Sequence, residues 1–298
     1  MTTYIIRRAI QAIFVLILVT IIIFLVIRLM PGDPILTVIS QQDLAEATEE
    51  QIANLRHYFG LDKPIIIQYF DWMGGVLHGD FGTSILHRVP VVSEIIRRIP
   101  ITFHLGALAF IISIVVGIPM GVICAIRRGT WMDTVVTVLA NAGITVPSFW
   151  LGILMIYLFA LYFDWLPVMG YTSPFENFFL STKQLIMPVI CLSLFPIASS
   201  ARQTRSSMLE VMRQDYIRTA WSKGLEERLV ITRHALKNGL IPVLTLKGIS
   251  IGHILGGSVL IETVFNIPGM GRLAVTSIIN QDYPYVQAVT LLLAVIVV

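Results

Sequence analysis

One stretch near the start of the chain limits what it can fold into more than any other. Between Ala9 and Ile27 only Gln11 and Thr20 are polar, and Arg7, Arg8 and Arg28 flank the run. A helix of that length, at about 1.5 Å per residue, matches the roughly 30 Å hydrocarbon core of a bilayer. A cleaved leader would have a shorter apolar core and an A-x-A-like site, so the run reads as a retained first span.

Further apolar windows near 101–126, 134–163, 184–201, 240–264 and 286–298 bring the expected spans to six. The last is still apolar where the sequence stops, and its 13 residues are too few to cross, so it reads as a truncated span. Composition agrees with lipid as the solvent. Only 13% of residues are charged, against about a quarter in soluble chains, and the mean hydropathy is +0.81. The net charge of +3 is too small to name a partner, and nothing points to nucleic acid. Cys124 and Cys191 sit in apolar runs without C-x-x-C spacing and read as packing residues, with no metal site.

Lys and Arg set the orientation. Arg7 and Arg8 precede the first span, Arg127 and Arg128 follow the second, and 201–238 carries eight more basic residues. These three regions alternate with the others and are expected in the cytoplasm, with the N-terminus. Residues 31–99, with nine acids against five bases, are expected outside. The organisation is then a cytoplasmic N-terminus and first span (1–30), an extracytoplasmic segment (31–99) and a membrane core (100–298). Within the outer segment, Pro31-Gly-Asp-Pro34 ends the span, a helix is expected over about Ala45–Phe59 with Gly60 as its stop, and 64–90 reads as an irregular packed loop.

The cytoplasmic loop of about 206–238 is the most informative region. In Asp215-Tyr-Ile-Arg-Thr-Ala-Trp-Ser-Lys-Gly224, Tyr216, Ile217, Ala220, Trp221 and Gly224 recur at helical spacing, with Arg213, Arg218, Ser222 and Lys223 between them. A second amphipathic stretch runs from Glu226 to Lys237. Such a helix either lies on the lipid surface or docks in a groove of a soluble partner.

Within the spans, several residues are candidates for lining a pathway or for helix packing. Gly248, Gly252 and Gly256 recur every four residues, as Gly117 and Gly121 do on a smaller scale, and small residues let helices approach closely. Lys247 either snorkels to the cytoplasmic side or faces a wet pathway; His104 and His253 are packing residues or polar lining; Glu262 reads as interfacial. Asn141 and Ser148 are further polar candidates. Pro119, Pro147, Pro188 and Pro196 suit bent helices.

Thr219-Ala220-x-x-x-Gly224, followed by Ile241-Pro242, resembles the EAA loop of ABC importer permeases, with Arg218 where the name has Glu, as in the dipeptide and oligopeptide branch. That branch's pattern recurs in order along nearly the whole chain. It includes Pro31-Gly-Asp-Pro34, Gly60-Leu-Asp-Lys-Pro64, Gly79-Asp-Phe-Gly-Thr-Ser84, Ser148-Phe-Trp-Leu-Gly152 and Arg233-His-Ala-Leu-Lys-Asn238. Leu255-Gly-Gly-Ser258, Pro268-Gly-Met-Gly-Arg272 and Asp282-Tyr-Pro284 follow. The resemblance is to the first permease of a peptide or nickel importer.

It implies an all-α membrane fold with six transmembrane helices of the type I importer kind, in a bacterial or archaeal inner membrane. It also implies a second homologous permease, two cytoplasmic ATPases docking on Asp215–Gly224, and an extracytoplasmic binding protein. No cofactor is expected on this chain: it has no G-x-x-x-x-G-K-[ST], so ATP and Mg belong to the partners. A secondary transporter would favour intramembrane acids, which are scarce here, and a membrane enzyme would carry a motif such as H-E-x-x-H or G-x-S-x-G. Short peptides are the expected cargo, with nickel, a nickel chelate or a glutathione-type substrate as the alternative. The spans offer few metal ligands with paired spacing but many small polar groups (Thr102, Thr145, Ser193 and Ser250 among them) that would keep a cavity wet.

Overall fold

The structure is a computed structural model that describes residues 2–29, 35 and 49–298. The Pro31–Pro34 turn and the first residues of the helix expected from Ala45 lie outside the described residues. Every regular element described is a helix, apart from one isolated antiparallel bridge between Thr83 and Pro90. The helices are α1 (Thr2–Leu29), α2 (Glu49–Tyr58), α3 (Ile65–Leu77), α4 (Val91–Ile126), α5 (Trp131–Thr145), α6 (Ser148–Met155), α7 (Phe178–Val211), α8 (Asp215–Ser222), α9 (Ile241–Val264), α10 (Met270–Ile279) and α11 (Tyr283–Val297).

The six apolar windows lie mainly on helices, but among the described residues four are single helices long enough to cross a membrane, a fifth is a bent pair, and 286–298 falls on α11, which at 15 residues is shorter. Helices α1, α4, α7 and α9 are each long and apolar enough to cross a membrane. The window 134–163 is two helices bent by 101°, α5 and then α6 with its wide π-type continuation Ile156–Tyr162. The bend falls where Pro147 forces Val146 out of helical geometry, to ψ 123°. Pro188 and Pro196 lie inside α7, which continues through them. Pro119 likewise lies inside α4. Helices α4 and α7, at 36 and 34 residues, extend well beyond their apolar windows.

Two differences from the sequence expectations have clear causes. Residues 64–90 are not wholly irregular, because α3 occupies Ile65–Leu77. Pro64, with ψ 141°, initiates this helix rather than breaking it, and the Gly74-Gly75 pair sits in its last turn. The second cytoplasmic stretch is not one regular helix. It winds from Glu227–Leu229 through π-type turns at Val230–Ala235 into Leu236–Gly239.

The chain divides into two compact units, Met1–Ile101 with Pro268–Val298, and Thr102–Ile267. In the first unit, α11 packs on α1 and α10. Val91 and Ile95 at the start of α4 share a cluster with Met270, Leu273, Tyr285 and Val289. A second cluster of Ile27, Ile85, Tyr283 and Val286 receives Ile52 and Leu55 from one face of α2, and Phe59 just after it. Asp282, only 2% exposed, fastens this unit: its carboxylate accepts from Ser84 Oγ at 2.5 Å and from the Ile85 amide at 3.1 Å.

The second unit is organised round α7, whose most apolar stretch is 61% buried, against 17% for α1. Helices α5, α6 and α9 pack on it. Helix α4 approaches it backbone to backbone at Gly117 and Gly121, where a Cβ would lie 2.8 Å from Ile197 O and 2.5 Å from Ala201 O. Arg205 of α7 reaches Asp133 of α5 with two hydrogen bonds of 2.7 and 2.9 Å, and Asp133 also accepts from the Gly129 amide. That fork-to-carboxylate pairing is the strong, orienting kind.

Candidate functional site

Helix α8 begins at Gln214, whose extended ψ of 150° places it before the first turn. Asp215 in that turn complements the positive end of the helix. Gly224, at φ +75°, stops the winding, and its amide donates to Trp221 O. The apolar residues that shared one stripe in the sequence are sorted by the fold. Ile217 and Ala220 are buried in the chain's own cluster with Ala125, Met208, Val230 and Ala235. Tyr216 and Trp221 are 44% and 39% exposed. Asn238 Nδ2 donates to the Tyr216 hydroxyl at 2.9 Å, tying the following stretch to α8.

The outward face of the loop is therefore polar and basic, with two aromatic rings. Asp215, Arg218, Thr219, Ser222, Lys223 and Gly224 are all exposed, as are Arg213, Arg228, Arg233 and Lys237. Arg218 keeps a loose contact of 3.5 Å with Asp215. The apolar side of α8 is already used inside the chain, so little of it is left to enter lipid.

The candidate pathway residues fall into separate places. Ser148, His253 and Gly256 line one open groove on the second unit, together with Cys191, Pro196 and Leu260. His253 is exposed and leans on the Phe195 ring. Asn141 belongs to a different, smaller pocket with Thr137, Arg202 and Arg205. Lys247 neither snorkels nor faces a wet opening in this chain. It is 4% exposed and donates to Ser113 Oγ at 2.7 Å, an intramembrane tie from α9 to α4. Gly248 and Gly256 have nothing within 4 Å of a hypothetical Cβ, and Gly252 is half-buried. The stripe thus does not serve packing within this chain at those two positions, whereas the adjacent Gly257 meets a neighbour, Leu192.

The remaining polar candidates are placed as follows. Glu262 is not interfacial but fully buried, accepting from Thr102 Oγ1 at 2.7 Å. His104 meets the Tyr171 hydroxyl at 3.1 Å. The small polar side chains expected to wet a cavity are mostly committed to their own helices: Thr145 donates to Asn141 O, Ser193 to Ile190 O and Ser250 to Leu246 O. Sequence reasoning missed the Arg205–Asp133 and Lys247–Ser113 ties. The signal available for the first was two opposite charges at the edges of consecutive apolar windows. No group of three or more His, Cys, Asp or Glu side chains among the described residues is placed to hold a metal ion.

Comparison with known proteins adds a family. Residues 117–298 match the binding-protein-dependent transport system inner membrane component, and residues 1–106 match the N-terminal part of such membrane components. A probable peptide ABC transporter permease of Sinorhizobium fredii is 43% identical over 99% of this chain and 93% of its own length. The dipeptide transport system permease of Alkalihalophilus pseudofirmus is 38% identical over 100% and 94%. Among solved structures, a chain of the inward-facing MetNI methionine ABC transporter shares the fold at a TM-score of 0.50 and 16% identity, over 62% of this chain and 81% of that one.

Proposed function

Because the chain belongs to the family of binding-protein-dependent transport system inner membrane components, the permeases of ABC importers, we propose that it forms half of the pathway through which an ATP-driven importer admits short peptides. It is a multi-pass membrane protein and a transport component of an assembly with other ABC subunits, not itself the catalyst. The finer assignment is a second homologous permease, two cytoplasmic ATPases that bind ATP and Mg, and an extracytoplasmic binding protein.

The observation that carries this reading is the division of labour within α8. Ile217 and Ala220 anchor it from inside, which leaves Arg218, Trp221 and Lys223 presented outward on a seated platform. A helix adapted to lie on lipid would turn its apolar face outward, so the arrangement favours docking in a groove of a soluble ATPase. The open Gly248 and Gly256 positions support a close approach by the second permease, beside the groove that holds Ser148 and His253.

The cargo assignment follows relatives that are described as peptide and dipeptide permeases. Competition tests it. In vesicles holding the importer and its binding protein, labelled di- or oligopeptides are expected to enter and to be displaced by unlabelled peptide. Nickel uptake that peptides fail to inhibit, with no peptide uptake, overturns it in favour of the metal or its chelate.

Orientation rests on the twelve Lys and Arg of the three inner segments. In a Cys-free background, a cysteine at the exposed Asp62 is expected to react with an impermeant reagent in intact cells. One at Gln214 reacts only after lysis. The reverse pattern inverts the topology and removes α8 from the ATPase side.

A further inference from the structure

We infer that α3 is a membrane-surface helix, lying flat in the boundary of the leaflet where α1 ends, with its free apolar side in lipid. Three sides of the helix carry the inference. At about 100° per residue, Tyr69 and Trp72 fall on one side. They pack on α1, where Phe24 stacks with Trp72 at 6.0 Å and meets Tyr69 edge-on at 5.4 Å. The same spacing puts Ile66, Phe70 and Leu77 together on a second side, where they are 70%, 67% and 78% exposed. Asp71 marks the third, and its carboxylate holds Lys63, just before the helix, at 2.7 Å.

The depth follows from the partner on α1. Thr20 Oγ1 gives its proton to Ile17 O at 2.7 Å, so the Tyr69 hydroxyl, 3.0 Å away, is the donor to Thr20. Thr20 lies seven residues before Ile27, the last residue of the apolar run, and hence about 10 Å below its end. A tyrosine on a helix in open water outside the bilayer does not reach that level. One on a helix at the headgroup boundary does, with its ring in the zone where aromatic residues concentrate.

The occupant of the free side is lipid, because the span on which α3 packs is itself exposed and apolar at that end. On α1, Leu25, Val26 and Leu29 are 42%, 55% and 76% exposed at the same end of the span. A stripe of large apolar side chains, here flanked by the half-exposed Ile65 and Ile67, with a water-facing acid beyond it is the pattern of an interfacial helix, which sinks about 5–10 Å into the acyl boundary. The acid-rich segment that contains α3 is thus a platform clipped to the membrane, not a loop free in water.

Spin labels read both depth and cover. Single cysteines at Ile66, Phe70 and Leu77, in the full importer reconstituted in vesicles without binding protein, are compared with Val26 as a lipid reference and Tyr58 as a water reference. Tyr58 is 77% exposed. The expected result is high accessibility to oxygen and low accessibility to a water-soluble nickel chelate at all three sites, close to the ratio at Val26 and at least several-fold above that at Tyr58. Labels at these exposed sites leave the packed side of α3 untouched. Accessibility to the chelate equal to Tyr58 overturns the inference. So does shielding from both reagents, or shielding that arises only when the binding protein is added, since either places a protein on this face.

Discussion

Ala220→Asp is expected to reduce uptake to background and to weaken ATPase association by more than tenfold, and the cause lies inside this chain. Ala220 is 6% exposed and packs with Ile217, Met208 and Val230. A carboxylate there is left among apolar groups with no partner, at a cost of several kcal/mol, which α8 avoids by leaving its seat. The clash lies beneath α8, in the cluster that seats it. Proteolysis separates this from a clash in the groove of the ATPase. The variant's loop is expected to be cut readily even without ATPase present, whereas Arg218→Glu, on the outward face, keeps the loop protected and loses only association. If Ala220→Asp is as resistant as the unmodified chain, the inward contact is wrong.

Gly121→Leu is expected to have a comparable effect by a steric route. Even the first carbon of the new side chain would lie 2.5 Å from Ala201 O and Thr204 Cβ, so α4 and α7 must part. Overpacking costs about 1–3 kcal/mol where side chains can yield, and here the obstacle includes backbone, so the upper end is expected. Gly248→Ala is the control. It meets nothing within 4 Å, and it gains about 1 kcal/mol of helix propensity. Melting curves of the isolated, detergent-solubilised chain are expected to fall sharply for Gly121→Leu and to hold for Gly248→Ala. A drop for Gly248→Ala would mean that the stripe packs within the chain. Gly248→Leu with normal melting but lost uptake would support the seam with a second permease.

The spans were legible because an apolar run long enough to cross a bilayer has few other homes, and the loop because its residues recur at helical spacing. The sorting of that loop was not. Tyr216 and Ile217 are equally apolar as letters, and only the docking of α8 on Met208 and Val230 decides that one turns in and the other out. Helix α3 was hidden because Pro64 and Gly74-Gly75 read as breakers, although a proline before the first turn is a start and glycines in the last turn lead to a stop. The Lys247–Ser113 tie joins positions 134 residues apart, and the Ser84–Asp282 bond joins positions 198 apart. No local pattern announces such pairs. The same holds for Gly121 and Gly248: both look like packing glycines, and one meets a backbone while the other meets open space.

The most direct measurement follows labelled dipeptide into vesicles that contain this chain, the second permease and the ATPases, with binding protein supplied on the side of residue 62. The account predicts uptake that requires ATP on the α8 side, persists when ionophores dissipate ion gradients, and disappears in Ala220→Asp. Uptake that proceeds without ATP and collapses with the ion gradient would contradict it, and would make the chain a gradient-driven transporter.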